Sequence, residues 1–175
     1  LAAGWTLERL TPPSRLFGAN GLRTGPDGRI YVAQVSGSQI SAVDVATGAI
    51  ETISPKGGDI VAPDDLVFDP DGNLYATEIT EGRVSVGAPE KVAGDLGVPD
   101  AVKFDAQGFI VSTQVASGQV LRIDPRSGER RVLADIAPGL DNLTFVGNRL
   151  FVSSISGQIN EVLGDGRIRS LVPDG

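Results

Sequence analysis

The chain has 175 residues, 41% of them apolar and 21% charged, with 23 Gly and 11 Pro. This is enough for one turn-rich globular domain with a real core. Fifteen Lys and Arg against 22 Asp and Glu leave a net charge of −7, which disfavours nucleic acid and anionic membrane surfaces as partners and favours cations. The chain contains no Cys and no His, so disulfides, ordinary zinc sites, Ser-His-Asp triads and histidine general bases are excluded. No apolar run approaches the ~18 residues of a membrane span and no signal peptide is visible, so the compartment, cytoplasmic or periplasmic, stays open. The absence of Met leads us to expect a processed or partial chain.

Trp5–Leu10 comes first and reads as an orphan outer strand. Four units then follow. Each has a turn, at Gly25-Pro26-Asp27-Gly28, Asp69-Pro70-Asp71-Gly72, Asp105-Ala106-Gln107-Gly108 and Val146-Gly147-Asn148. Each turn leads into a short β-prone run, beginning at Ile30, Leu74, Ile110 and Leu150. The turn glycines lie 44, 36 and 39 residues apart. A period near 40 without helical periodicity predicts propeller blades. Ser-Gly and Glu-Gly turns at Ser36, Glu81, Ser117 and Ser156 add a second hairpin to each unit, since Gly supplies the positive φ such turns need. The expected fold is therefore all-β. It has four four-stranded antiparallel blades over about 20–54, 64–93, 100–135 and 141–173, in a single propeller domain or part of a six-bladed one.

Aligned on their turns, the units show two polar columns. Asn20, Asp64, Asp100 and Asp141 stand at the start of the first, innermost strand of each unit. Strands of that kind line a propeller's channel, so the four side chains should converge at one end of the axis. Carboxylates ~5 Å apart at an effective dielectric of ~20 repel by roughly 3 kcal/mol per pair, so they should be protonated or hold a cation. Oxygen donors without His or Cys select a hard divalent ion, Ca²⁺ first, with Mg²⁺ or Zn²⁺ as alternatives. The bland alternative is that these residues only cap turns. The second column, Gln34, Glu78, Gln114 and Ser154, ends the second strands; Gln34, Glu78 and Gln114 are read as candidate substrate contacts.

The segments Ala19-Asn20-Gly21-Leu22, Pro63-Asp64-Asp65-Leu66-Val67-Phe68-Asp69-Pro70-Asp71-Gly72 and Pro99-Asp100-Ala101-Val102 resemble the SMP-30/gluconolactonase/LRE-like family. That resemblance implies a six-bladed propeller and a metal-dependent lactonase or esterase. It also implies an axial divalent metal held by an early Glu, the Asn of Asn-Gly and the Asp of Pro-Asp-Gly. Asn20 matches the Asn-Gly motif. Asp64 and Asp100 keep Pro-Asp but replace the Gly, Asp141 holds the register, and the early Glu has no counterpart.

The expected function is a metal-dependent hydrolase of a lactone or related ester. Asn20, Asp64, Asp100 and Asp141 would be the ligands, with Asp100 or Asp141 as general base. A non-catalytic NHL-type binding module and an inactive propeller fragment are the alternatives. No nucleic acid or membrane is expected as a partner. Four blades that leave a ring open would expose apolar faces, with self-association as the consequence.

Overall fold

The computed structural model describes residues 2–13, 16–87 and 90–172. Blade 1 comprises β1 (Ala19–Thr24), β2 (Ile30–Gln34), β3 (Gln39–Val43) and β4 (Ile50–Ser54). Blade 2 comprises β5 (Pro63–Phe68), β6 (Leu74–Glu78), β7 (Arg83–Val86) and β8 (Glu90–Ala93). Blade 3 comprises β9 (Pro99–Phe104), β10 (Ile110–Gln114), β11 (Gln119–Ile123) and β12 (Arg130–Asp135). Blade 4 comprises β13 (Leu140–Val146), β14 (Arg149–Ser154), β15 (Ile159–Val162) and β16 (Ile168–Val172). Each blade is an antiparallel meander in chain order, and no helix occurs among the described residues. The four expected blades are present. The expected end of blade 4 at residue 173 lies outside the described residues.

Two expectations need correction. Trp5–Leu10 is not a strand: its backbone has no ladder partner, and Trp5 and Leu7 are 74% and 84% exposed. An outer strand forms only against the third strand of its own blade, and the four strands of every blade here are already supplied by later residues. The innermost strands also begin one residue before the expected blade bounds, at Ala19, Pro63, Pro99 and Leu140, and each contains a bulge. Two residues of the inner strand oppose one of its neighbour. Asn20 and Gly21 face Ala33, Asp64 and Asp65 face Thr77, Asp100 and Ala101 face Thr113, and Asp141 and Asn142 face Ser153. A bulge strips an amide of its ladder partner. Here the hydroxyl opposite it accepts the N–H: Asp65 N to Thr77 Oγ1 at 3.0 Å, Ala101 N to Thr113 Oγ1 at 3.1 Å and Asn142 N to Ser153 Oγ at 3.1 Å.

The blades pack through three apolar cores. Tyr31, Ala33, Ile40 and Ala42 of blade 1 meet Leu66 and Ala76 of blade 2. Val67, Tyr75 and Val84 of blade 2 meet Val102, Ile110 and Leu121 of blade 3. Ala101, Val111 and Val120 of blade 3 meet Leu143, Leu150 and Val152 of blade 4. No comparable core joins blade 4 to blade 1 among the described residues. One glycine is dictated by this packing: a Cβ on Gly21 would lie 2.6 Å from the Cα of Asp65 in the next blade.

The bulge hydroxyls also staple blade to blade. Thr77 Oγ1 donates to the Asp100 carbonyl and Thr113 Oγ1 to the Asp141 carbonyl, each at 2.5 Å. Thr77→Val keeps the shape and removes every hydrogen bond of a fully buried hydroxyl. It should cost about 1–3 kcal/mol, read as a lower urea midpoint at unchanged slope, with Thr77→Ser largely restoring it. A valine variant as stable as the parent would show that the staple carries no stability.

Candidate functional site

The bulges aim the second residue of every innermost strand out of the ladder, and this brings the first polar column together. The Asn20 side-chain amide donates to Asp64 Oδ1 at 2.8 Å, across from blade 1 to blade 2. Asp64 and Asp141 both lie near enough to the Asp100 carboxyl to perturb it. Burial first, then Asp64 and the charges of Asp141 and Asp65, push the Asp100 carboxyl up to about 9. Of the two expected remedies for crowded carboxylates, the raised Asp100 carboxyl favours protonation.

The donors, an amide and carboxyls on adjacent strands, have the oxygen-only chemistry a hard cation selects. Their arrangement is less complete: among the described residues no three acidic side chains are grouped closely enough to hold an ion. Asn20 and the Asp64–Asp100 pair form the core of the cluster, with Asp141 at its margin.

A second charged group lies further along the same strands. Asp65, buried, accepts from Arg23 Nη2 at 2.9 and 3.0 Å, from Lys103 Nζ at 2.8 Å and from the Val102 amide at 3.1 Å. Arg23 also donates through Nε to the Leu66 carbonyl at 2.8 Å. One carboxylate of blade 2 therefore holds a cation from blade 1 and another from blade 3. Burial lowers the Lys103 pKa, and the nearby charges of Asp65 and Asp100 oppose this. The sequence offers little signal for this group, because Gly21, Asp65, Ala101 and Asn142 share no residue type.

The second polar column lies elsewhere. Gln34, Glu78 and Gln114 are fully buried, so in this structure they are not placed to touch a substrate. Their work is local. Gln34 Oε1 accepts the Phe17 amide at 2.7 Å, and Glu78 Oε2 accepts the Val61 amide at 2.7 Å; each donor lies two residues before its blade's first strand. Gln34 Nε2 donates to Ser41 Oγ at 2.9 Å. Glu78 also takes a two-point contact from Arg83, at 2.8 and 2.7 Å, and the Ser85 hydroxyl. In blade 4 the position of the amide donor is Pro138, which has no N–H, and the column residue is Ser154. Gln114 donates to Ser112 Oγ at 3.1 Å, while its Oε1 is buried without a partner. The outer-turn residues Asp27, Asp69, Asp105 and Asp124 accept the backbone amide two residues on, as turn caps.

No family model matches the sequence, and no curated protein matches it. Solved structures match it in shape. A gluconolactonase from Xanthomonas campestris superposes with a TM-score of 0.75 at 19% identity, over 94% of this chain and 64% of that one. Virginiamycin B lyase from Staphylococcus aureus, an inactive histidine-to-alanine variant with quinupristin, gives 0.72 at 16% identity, over 91% and 57%. A chain of the nidogen/laminin complex gives 0.76 at 19%, over 91% and 66%. The protein is a β-propeller. At these identities the likeness is one of fold, and the chain spans about three fifths of the length of these neighbours. No helix among the described residues is long and apolar enough to cross a membrane.

The raised Asp100 pKa sets a pH dependence. Between the unfolded carboxyl's value near 3.8 and the folded value of about 9, the folded chain holds one proton more than the unfolded one. Stability from this group is full below pH ~4, falls as pH rises through the window and levels off above ~9. Asp100→Asn should flatten that decline, so the variant gains melting temperature over the parent at pH 8 and little at pH 4. Parallel melting curves across pH 4–9 would show that Asp100 holds no such proton.

Proposed function

We propose that the bulge column is a hydrolytic site for a lactone or related ester, assisted by a divalent cation, Ca²⁺ before Mg²⁺ or Zn²⁺. The observation that carries this reading is the meeting of the Asn20 amide with the Asp64 carboxylate at 2.8 Å, beside Asp100, whose carboxyl is pushed up by burial and by the neighbouring Asp64 and Asp141. Asn20, Asp64, Asp100 and Asp141 would hold the cation, which when bound polarises an ester carbonyl and acidifies water. The chain's own residues supply proton handling. Asp100, once the cation has displaced its proton, or Asp141 suits acceptance of the water proton as general base. The Asn20 amide orients Asp64. The gluconolactonase neighbour has this class of reaction in its name.

A second reading, a non-catalytic binding propeller, is favoured by one specific observation, the lack of a three-carboxylate group among the described residues. Calcium separates the two. In the hydrolase reading, calcium raises the melting temperature by mass action, and more at pH 9 than at pH 6 because Asp100 must give up its proton to bind. A pH-stat with a simple aliphatic lactone should show calcium-dependent acid release. Asp100→Asn should cut that release by roughly 10²-fold or more, and Asp100→Asn with Asp141→Asn should abolish both effects in a folded protein. No thermal shift and no acid release from the parent would leave the binding propeller.

A further inference from the structure

The innermost strands carry further polar residues past the column. One position beyond it stand Gly21, Asp65, Ala101 and Asn142, and three positions beyond it Arg23, Val67, Lys103 and Thr144. At roughly 3.3 Å per residue, Arg23 and Lys103 lie about 10 Å along their strands from Asn20 and Asp100. Blade 2 fills the nearer position with a carboxylate, and Asp65 takes Arg23 from one side and Lys103 from the other. Blade 4 fills the same position with Asn142, an amide without charge. Two cations thus share one carboxylate, and a positive charge is left over.

Those cations line a groove of about 410 Å³ together with Asn142, Thr144 and Ser153 of blade 4. Among the described residues no acidic side chain lines it, although the chain as a whole carries −7. The acids nearby add little charge. Asp100 is pushed up to about 9, and Glu161 is held by Arg149 and Arg169. Donors are in excess. Arg23 commits Nε to the Leu66 carbonyl and Nη2 to Asp65, while its Nη1 has no partner among the described residues. Lys103 commits two of its three N–H groups, to Asp65 and to the Val102 carbonyl. Asn142 Oδ1 accepts the Leu143 amide, and its Nδ2 has no acceptor among the described residues. Arg23 and Lys103 both reach Asp65 Oδ2, at 3.0 and 2.8 Å, so they lie close enough to share a second carboxylate. The rest of the wall is apolar: Phe151 and Ile159 line it, and Ile159 is 41% exposed.

We infer that this groove binds a small amphipathic monocarboxylate, its head on Arg23 and Lys103 and its apolar body on Phe151 and Ile159. A carboxylate fits because its two oxygens match guanidinium and ammonium donors, and Arg23 is already fixed by Leu66 and Asp65. One negative charge balances the one left over. The volume is that of a small-molecule site. The site needs no divalent cation and stands independently of the hydrolase reading.

Hexanoate is the probe and hexanamide its neutral analogue, both tested on the full chain with a chelator present, so that no metal in the column can hold a carboxylate. Hexanoate should raise the melting temperature saturably and shift the Ile159 methyl resonances. Hexanamide should bind at least tenfold more weakly. Asn142→Asp keeps an acceptor for the Leu143 amide and supplies the missing negative charge from the chain itself. It should cut hexanoate affinity at least tenfold in a protein as stable as the parent. Ile159→Ser, at a partly exposed position, should weaken hexanoate several-fold. The inference is overturned if hexanoate gives no shift, if hexanamide binds equally well, or if either variant binds hexanoate as the parent does. Calcium and lactone enter none of these measurements, so the result is separate from the fate of the hydrolase reading.

Discussion

One extra residue near the start of each innermost strand leaves an amide without its ladder bond, and where that amide is buried, as in blades 2 and 3, leaving it unpaired would cost about 1–3 kcal/mol. The chain meets this need with a hydroxyl on the neighbouring strand: Thr77, Thr113 and Ser153 each accept the orphan N–H. Having accepted one bond, the hydroxyl still has a proton to give, and in blades 2 and 3 it gives it to the next blade's column carbonyl. A local repair inside a blade is thereby also the polar link between blades. The same bulge turns Asn20, Asp64, Asp100 and Asp141 out of the ladder, so site and scaffold share one backbone irregularity.

Electrostatics at the axis follow from that crowding. Carboxyls brought together by three of the four equivalent bulges cannot all be charged cheaply, and two features bear on this. Burial and the neighbouring carboxyls push the Asp100 carboxyl up to about 9. Asp65, one residue beyond the column, is neutralised by Arg23 and Lys103 from the blades on either side. A proton held where a cation could sit couples folding stability, pH and any metal binding at one place.

The Gln34, Glu78 and Gln114 column shows how a repeat can mislead. A polar residue recurring in register looks like a lining, yet all three side chains are buried, and Gln34 and Glu78 anchor the loops entering blades 1 and 2. Their recurrence reflects a repeated structural demand, a loop amide needing an acceptor. Where that amide is missing, at Pro138, the long side chain is missing too and Ser154 stands in its place.

The ~40-residue period, the Asp-Gly turns and the absence of helical periodicity determined the all-β blade architecture, because hairpin turns demand residues of positive φ at fixed offsets. The in-register Asn and Asp column was legible for the same reason. Sequence could not show which polar column faces the axis. That depends on the bulge, and a one-residue shift in pairing sends every later side chain to the opposite face. Nor could it show that Asp65 gathers Arg23 and Lys103, since those three lie on different blades and meet only when the blades pack. The Trp5–Leu10 run has the composition of a strand and forms none, because a strand is a property of a pair and no third strand lies beside it.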